Sequence, residues 1–258
     1  MTPKQRFITA LEQGIPDRVP TFELEFQLAP ELMGRDFLHE EQLNGLSPKE
    51  VDRAIHENAE YILKVYERLE HDAICLHYLS DEHMFDTVRI IRELTGDKYM
   101  LLCHGDGTYA ISDAKGMEKM SCMMVDEPEE AEAVAEGMCQ RAIDHNRRFL
   151  DHGFDGFILC SDYCFNKGPF ISPRMFSRFV TPYLYRIVED IRARGGYAIK
   201  HTDGDISKIL DDLISCHPHA LHSLDPMAGV DIRQIKEYTR GKGAPGGAAH
   251  RAGPARRA

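Results

Sequence analysis

Six short apolar runs recur along this chain, and most of them end in polar residues just before a helical pattern resumes. They lie at residues 19–26, 72–77, 99–103, 154–160, 197–201 and 220–224. Short apolar runs that alternate with helices predict βα units and a parallel sheet. Because the polar clusters follow the carboxyl ends of the runs, where α/β barrels carry their chemistry, the pattern favours a TIM-type (β/α)8 barrel. An open doubly wound sheet is the alternative, although the glycine-rich phosphate loop of that fold does not follow the first run.

Capping signals define several of the helices between these runs. Ser47-Pro48-x-Glu50 is a capping box with proline at the first helical position, and it opens a helix that reaches about Leu69. Ser172-Pro173 opens a long helix that we expect to bend at Pro182. We interpret a methionine-rich segment as a loop that serves as a mobile lid, as an adaptable docking surface for a partner, or simply as loop packing. Its methionines are Met117, Met120, Met123 and Met124.

The distribution of charge excludes one class of function. The net charge is −11, but residues 242–258 hold four basic and no acidic side chains, so the remainder carries about −15. A body this acidic argues against nucleic-acid binding, which needs a basic surface. No apolar run approaches the roughly 20 residues of a membrane helix, and a signal-peptide pattern is missing, so we expect a cytoplasmic protein with no membrane partner. The seven scattered cysteines are expected to be reduced, ordinary core residues.

The composition changes abruptly after Lys242. Residues 243–258 are rich in Gly, Ala and Arg and contain no Leu, Ile, Val, Phe or Met, so we expect no buried seventh strand there. One interpretation is a flexible, disordered tail. The other is a shift of the coding frame near Gly243, which would leave a barrel domain at residues 1–242 truncated after about six of its eight βα units.

Six motifs follow one another along residues 1–242. They are Met1-Thr2-Pro3-Lys4-Gln5-Arg6, Pro16-Asp17-Arg18-Val19-Pro20, Ile171-Ser172-Pro173-Arg174-Met175-Phe176, Val180-Thr181-Pro182-Tyr183, Lys200-His201-Thr202-Asp203-Gly204-Asp205-Ile206 and Leu224-Asp225-Pro226. Together, and in this order, they resemble the uroporphyrinogen decarboxylase superfamily. The resemblance implies an eight-unit barrel, and it implies a glycine-rich Gly-Asn turn and further site residues in the last units, which this chain does not show after Lys242.

The resemblance implies one of two chemistries. The first is decarboxylation of uroporphyrinogen without a cofactor, and the second is methyl transfer between a small donor or thiol and a corrinoid carried by a partner protein, usually with zinc. The decarboxylases carry an arginine-rich loop after the first strand, whereas residues 21–46 here hold one arginine, Arg35, and five glutamates. Eight substrate carboxylates call for several guanidinium groups, so the resemblance is closer to the methyltransferase branch.

The run that ends in His201 is the main candidate for a metal site. The resemblance implies a His-x-Cys-Gly zinc motif at this stretch in the methyltransferases of the superfamily. Here Asp203 takes the position of the cysteine. His201 and Asp203 are two residues apart on a strand and point to the same side, so both can reach zinc or another divalent ion. Loss of the thiolate favours a methoxy or methylamine donor over a thiol. The alternative is a His–Asp pair held by hydrogen bonds.

Other strand ends supply further candidates. We predict catalytic roles for Asp162 as acid, base or substrate anchor, for Glu23 as ligand or base and for Tyr163 in orienting the substrate. The alternatives are a solvated loop aspartate, a surface salt-bridge partner and a packed ring. His77, His104 and Asp225 are candidate substrate-binding residues; structural histidines and a turn cap are the other interpretations.

The resemblance, weighed with these residues, implies a corrinoid-linked methyltransferase or O-demethylase component. The alternatives are a cofactor-free decarboxylase of uroporphyrinogen or a related acid, in porphyrin biosynthesis, and a truncated, inactive fragment. Open barrel edges would favour self-association, so a homo-oligomer is also expected.

Overall fold

The computed structural model describes residues 1–240 and the backbone of Gly247–Ala249. By their internal contacts, the residues divide into two compact units. The first comprises residues 1–10, 14–104 and 148–156, and the second comprises residues 11–13, 105–147 and the described residues from 157 onwards.

The first unit is built around two parallel strands and the helices that precede and follow them. Its elements are α1 (Pro3–Leu11), α2 (Ala29–Met33), α3 (Pro48–Leu69), β1 (Ala73–Cys75), α4 (Asp81–Thr95) and β2 (Met100–His104). The strands pair in parallel, with Ala73 opposite Met100 and Cys75 opposite Leu102. The predicted capping box is present: the Ser47 N–H donates to the Glu50 carboxylate over 2.8 Å, and α3 begins at the next residue.

The first apolar run, residues 19–26, was predicted to be a strand, and that prediction is wrong. Among the described residues, 19–26 form no strand, and Leu24 and Glu25 lie in a bend. The Thr21 N–H donates to the Asp72 carboxylate, and the Thr21 carbonyl accepts the Asp72 N–H over 2.7 Å. Pro20 has no N–H to donate, so pairing cannot continue past Thr21 in that direction.

The second unit contains the remaining strands. Its elements are α5 (Ala114–Asp126), α6 (Pro128–Asp151, whose last turn belongs to the first unit), β3 (Gly156–Cys160), β4 (Cys164–Phe165), β5 (Gly168–Pro169), α7 (Pro173–Phe179), α8 (Thr181–Ala193), β6 (Tyr197–His201), α9 (Leu210–Ser215), β7 (Ala220–His222), α10 (Ile232–Thr239) and β8 (Gly247–Ala249). Four of the strands form a sheet in the order β3, β6, β7, β8, and β4 and β5 form a small antiparallel hairpin. Alternating strands and helices give the α/β class that the sequence predicts.

Two helical segments differ from expectation. The methionine-rich segment is not a loop but helix α5, in which Met120 and Met124 are buried and Met117 and Met123 are half-buried. Recurrence at three- and four-residue intervals places these side chains on one helical face, which a composition-based interpretation overlooked. The long helix expected after Ser172 is broken rather than bent, because Pro182 in the first turn of α8 lacks an N–H, and the chain leaves helical geometry at Val180.

A short strand lies within the tail. β8 pairs in parallel with β7, and Leu221 is opposite Ala248. Ladder hydrogen bonds use backbone groups, which Gly and Ala also carry, so this pairing does not need the large apolar side chains of a buried strand. The rest of the predicted disordered tail lies outside the described residues.

A buried ion pair occupies the core of the second unit. Lys200 on β6 is completely buried, and its Nζ donates to the Asp106 carboxylate over 2.7 Å and to the carbonyls of Leu159 and Ser161 over 2.8 and 3.0 Å. Burial alone would raise the pKa of the Asp106 carboxyl, but Lys200 more than offsets this, and the pKa lies below its ordinary value. All three Nζ protons thus have acceptors, which is the condition under which a buried charge is tolerated.

None of the seven cysteines, all within the described residues, forms a disulfide, and five of them are buried. Within the described part of the chain, the helices are too short or too polar to span a bilayer.

We expect the chain to lose stability as pH falls from about 6.5 towards 4, partly through His219. Burial and the charge of Arg192 lower the pKa of His219 from 6.5 to about 4, and its Nδ1 accepts the Ala198 N–H over 3.0 Å. The unfolded chain therefore binds a proton that the folded chain does not, so stability is full above pH 6.5 and declines below it.

The measurement is urea unfolding of the wild type and His219→Gln at pH 7 and pH 5. Because His219 is only half-buried, we expect the pH-dependent loss to shrink by about 1 kcal/mol in the variant. His56→Gln, which changes an exposed histidine on α3, is the control and should behave as wild type. Equal pH dependence in wild type and His219→Gln would contradict the assignment.

Candidate metal site at the strand ends

Three of the predicted residues meet at the carboxyl ends of β3 and β6. Asp162 follows β3, His201 ends β6, and Asp203 lies two residues further on; their ligand atoms are all within 4.8 Å of one another. His201 Nε2 is 3.6 Å from Asp162 Oδ1 and 4.0 Å from Asp203 Oδ1. The structure thus brings together two residues predicted as metal ligands and one predicted as acid, base or anchor.

Hydrogen bonds fix the two carboxylates in place. The Asp203 N–H donates to Asp162 Oδ1 over 3.0 Å, and the Ser223 hydroxyl donates to the Asp203 carboxylate. The Asp162 carbonyl accepts the Ile111 N–H over 2.8 Å. The side chain of His201 is 12% exposed, whereas those of Asp162 and Asp203 are 46% and 57% exposed. The cluster is therefore open to solvent on its carboxylate side.

Gly204 makes the turn after Asp203 possible. Its φ is +83°, and a Cβ at this position would lie 2.4 Å from the Cys164 carbonyl oxygen and 2.7 Å from that of Phe165. The Asp205 N–H then donates to the Phe165 carbonyl over 3.0 Å. The β4–β5 hairpin thereby holds the loop that carries Asp203, and only glycine combines this φ with so close an approach.

His222 determines how His201 presents its ring. β6 and β7 pair in parallel with His201 opposite His222, and the two Nδ1 atoms are 2.8 Å apart. One Nδ1 must donate and the other accept. If His201 donates, its Nε2 carries the lone pair that faces the carboxylates, which is the arrangement typical of metal-ligating histidines.

The donor set fits a divalent cation. One imidazole nitrogen and two carboxylates are ligands that zinc accepts, and three protein ligands leave a position for another ligand. Without a thiolate, the set also suits harder ions such as Mn²⁺. Two carboxylates this close repel each other, and a bound cation would relieve that repulsion.

Tyr163 and Asp225 lie outside this cluster. Tyr163 is completely buried, its hydroxyl is 2.5 Å from the Thr108 hydroxyl, and its N–H donates to the Thr202 hydroxyl over 2.8 Å. Burial raises the pKa of its phenol well above the ordinary value. The Asp225 carboxylate accepts the Met227 N–H over 2.8 Å and caps a short turn. These placements match the packing and capping alternatives that the sequence left open.

A second cluster lies in the first unit. Ligand atoms of Cys75, His77 and His104 are within 4.8 Å of one another. The rings of His77 and His104 stack at 5.5 Å, and Glu25 Oε1 is 4.0 Å from His104 Nε2. Burial, followed by the nearby His104 and His39, lowers the pKa of His77 to about 4. Two of the three residues predicted to bind substrate, His77 and His104, are therefore neighbours, and Cys75, which the sequence analysis treated as a core residue, lies beside them.

Glu23 is half-buried in the same unit. Its negative charge contributes to the raised pKa of Tyr66. Burial of the Tyr66 phenol is the main cause of that shift, and the charge of Glu23 is a smaller one.

Sequence reasoning missed His222, Ser223, Asp106 and Cys75. His222 could have been predicted from the sequence, because the run at 220–224 contains a histidine as the run at 197–201 does. Neighbouring parallel strands place their ends side by side, so the two histidines were candidates for a pair. Cys75 precedes His77 by two residues and so shares its side of the strand. Asp106 and Ser223 carry no signal in the chain, because their partners are distant in sequence.

A parallel α/β sheet with imidazole and carboxylate groups at the carboxyl ends of its strands defines a protein of the TIM-barrel type with a polar site at the usual end of the barrel. The chain belongs to the uroporphyrinogen decarboxylase (URO-D) family, whose model matches residues 82–244. The family resemblance predicted from the motifs is thereby confirmed.

Among solved structures, a methyltransferase from Methanosarcina mazei superposes with a TM-score of 0.68. The match covers 95% of this chain and 81% of that one, at 16% sequence identity. At this identity the likeness establishes the fold, which is the barrel-type α/β fold predicted from the six runs. A search of curated proteins finds no match.

Proposed function

We propose that this protein is a cytoplasmic methyltransferase that moves a methyl group between a small methoxy- or methylamine-type donor and a corrinoid held by a partner protein. The observation that carries the proposal is the convergence of Asp162, His201 and Asp203 at the strand ends. The family assignment and the likeness to a solved methyltransferase support it.

In this proposal His201, Asp203 and Asp162 hold a divalent metal, which would act as a Lewis acid on the donor's oxygen or nitrogen. His222 orients the His201 ring, and Ser223 orients Asp203. The transfer breaks a bond between the methyl carbon and a heteroatom, and the leaving heteroatom gains a proton. The carboxylate side of the cluster is exposed, so water can reach the site and supply that proton.

The first unit supports the choice against uroporphyrinogen decarboxylation. Arg35, the one arginine between residues 21 and 46, lies with its guanidinium 3.9 Å above the Tyr61 ring and donates to the Glu57 carbonyl over 3.5 Å. A guanidinium engaged in this way, among five glutamates, is poorly suited to bind a substrate with many carboxylates. The family takes its name from uroporphyrinogen decarboxylase, so decarboxylation is the second candidate function.

The test combines metal analysis with two assays on the full chain. Purified protein is reconstituted with zinc and supplied with methoxy or methylamine donors and free reduced cobalamin as a surrogate acceptor, and formation of the methylated corrinoid is followed by its visible spectrum. We expect His201→Ala and Asp203→Asn to lower the rate by about 10²–10³-fold, with loss of the metal bound at this cluster.

Asp205→Asn is the matched control, because it removes a neighbouring carboxylate whose hydrogen bonds, among the described residues, come from Ser207 in its own turn. It should retain both metal and rate. Decarboxylation of uroporphyrinogen by metal-free protein, with no methyl transfer to the corrinoid, would overturn the proposal in favour of the second candidate.

A further inference from the structure

Cys75, His77 and His104 lie close together at the ends of β1 and β2. Cys75 is opposite Leu102 in the parallel register, which places His77 beside His104 two residues further along. Cys75 and His77 are two residues apart, so their side chains leave the strand on the same side. All three ligand atoms lie within 4.8 Å of one another. A tetrahedral zinc ion needs about 3.3–3.8 Å between ligand atoms, so side-chain shifts of about 1 Å would complete the set.

His77 has an unexplained feature. Both of its ring nitrogens are buried, and neither has a hydrogen-bond partner among the described residues. The stacked His104 ring and the Tyr78 ring, whose centroid is 3.8 Å away, account for the packing of the imidazole but not for its polar atoms. A buried nitrogen left without a partner costs about 1–3 kcal/mol, and a bound ion is one of the few groups that would remove this cost.

A small cavity lies beside Cys75 and His77. Aromatic and apolar side chains line it, among them Phe37, Tyr66 and Met84. An ion bound next to this cavity would take neutral imidazoles and the Cys75 thiolate as ligands, so its binding would release the thiol proton.

We infer that Cys75, His77 and His104 form a zinc-binding site, separate from the cluster at Asp162, His201 and Asp203. One thiolate and two imidazoles are a donor set typical of zinc, whereas carboxylates favour harder ions. Glu25, 4.0 Å from His104, is the carboxylate placed to approach a fourth position. A thiolate and a carboxylate together would neutralise the charge of a divalent ion.

The experiment uses Co²⁺ as a spectroscopic substitute for zinc. The full chain, stripped of metal and kept reduced, is titrated with Co²⁺ in the Asp203→Asn background, so that the carboxylate cluster does not contribute. A thiolate bound to cobalt gives a charge-transfer band in the near ultraviolet, which nitrogen and oxygen ligands do not give. We expect the band to saturate at one equivalent and to be lost when zinc is added.

Cys75→Ser should abolish the band, and His77→Gln should weaken Co²⁺ binding at least about 10-fold. Mutation of residues that merely hydrogen-bond to metal ligands already lowers metal affinity by about that factor. Cys103→Ala is the matched control and should keep the band. Cys103 is also buried, but its side chain leaves β2 on the face opposite to that of His104. Far-ultraviolet circular dichroism confirms folding of each variant. Absence of the band in the Asp203→Asn chain, or its survival in Cys75→Ser, would overturn the inference.

Discussion

Replacing Lys200 by methionine is expected to lower the free energy of unfolding by about 3–5 kcal/mol. The substitution keeps the length of the side chain but leaves the Asp106 carboxylate buried without its cation, 2.7 Å from where Nζ was. It also leaves the Leu159 and Ser161 carbonyls without their donor. The measurement is chemical denaturation at pH 7 of the wild type and the variant.

Two further variants separate this explanation from a simple loss of packing. Arg186→Met breaks the exposed pair with Glu136 and should cost about 0–1 kcal/mol. Lys200→Met combined with Asp106→Leu removes both charges and should recover part of the loss. The deficit of Lys200→Met should also shrink at acid pH, because a protonated Asp106 no longer needs a cation. A double variant as unstable as the single one would show that the charge of Asp106 is not the cause.

Substituting Gly204 by alanine is expected to destabilise the chain by about 2–5 kcal/mol. The positive φ costs a non-glycine residue about 1–2 kcal/mol, and crowding in a packed site adds about 1–3 kcal/mol. Here the new Cβ would meet backbone oxygens of Cys164 and Phe165, which cannot rotate away as a side chain would. Relief of the overlap must move the loop that carries Asp203, so metal affinity should fall together with stability.

Gly229→Ala is the matched control for this substitution. Gly229 has nearly the same φ, +80°, but nothing within 4 Å of the position a Cβ would take. It should show only the conformational cost of about 1–2 kcal/mol and leave metal binding intact. Thermal unfolding and a zinc-chelator competition measure the two effects. Equal destabilisation by both variants would mean that the contact with the hairpin is unimportant.

The elements that local chemistry determines could be predicted from the sequence. The helix opened by Ser47-Pro48-x-Glu50 begins and ends as predicted, because its cap residues are adjacent in the chain. Five of the six apolar runs contain strands, since burial on both faces leaves an apolar run in the sequence. The strand prediction for residues 19–26 was wrong, because an apolar run does not reveal whether a neighbouring strand will pair with it.

The candidate site was predictable in part for a similar reason. His201 and Asp203 share one strand, so their proximity follows from a two-residue spacing. Asp162 joins them only because β3 and β6 are neighbours in the sheet, although they are far apart in the chain. His222, and the pairing of Cys75 with His104, depend in the same way on which strands lie side by side.

The level register of the parallel strands limits how sites of this kind can change during evolution. His201 stands opposite His222, and Cys75 stands opposite Leu102, two residues before His104. Exchanging one strand-end side chain would alter the ligand set for a metal and leave the core untouched. Inserting one residue within a strand would instead shift its end by about 3.3 Å and turn every following side chain to the other face. New specificities on this scaffold should therefore arise by substitution at strand ends, with length changes confined to the loops beyond them.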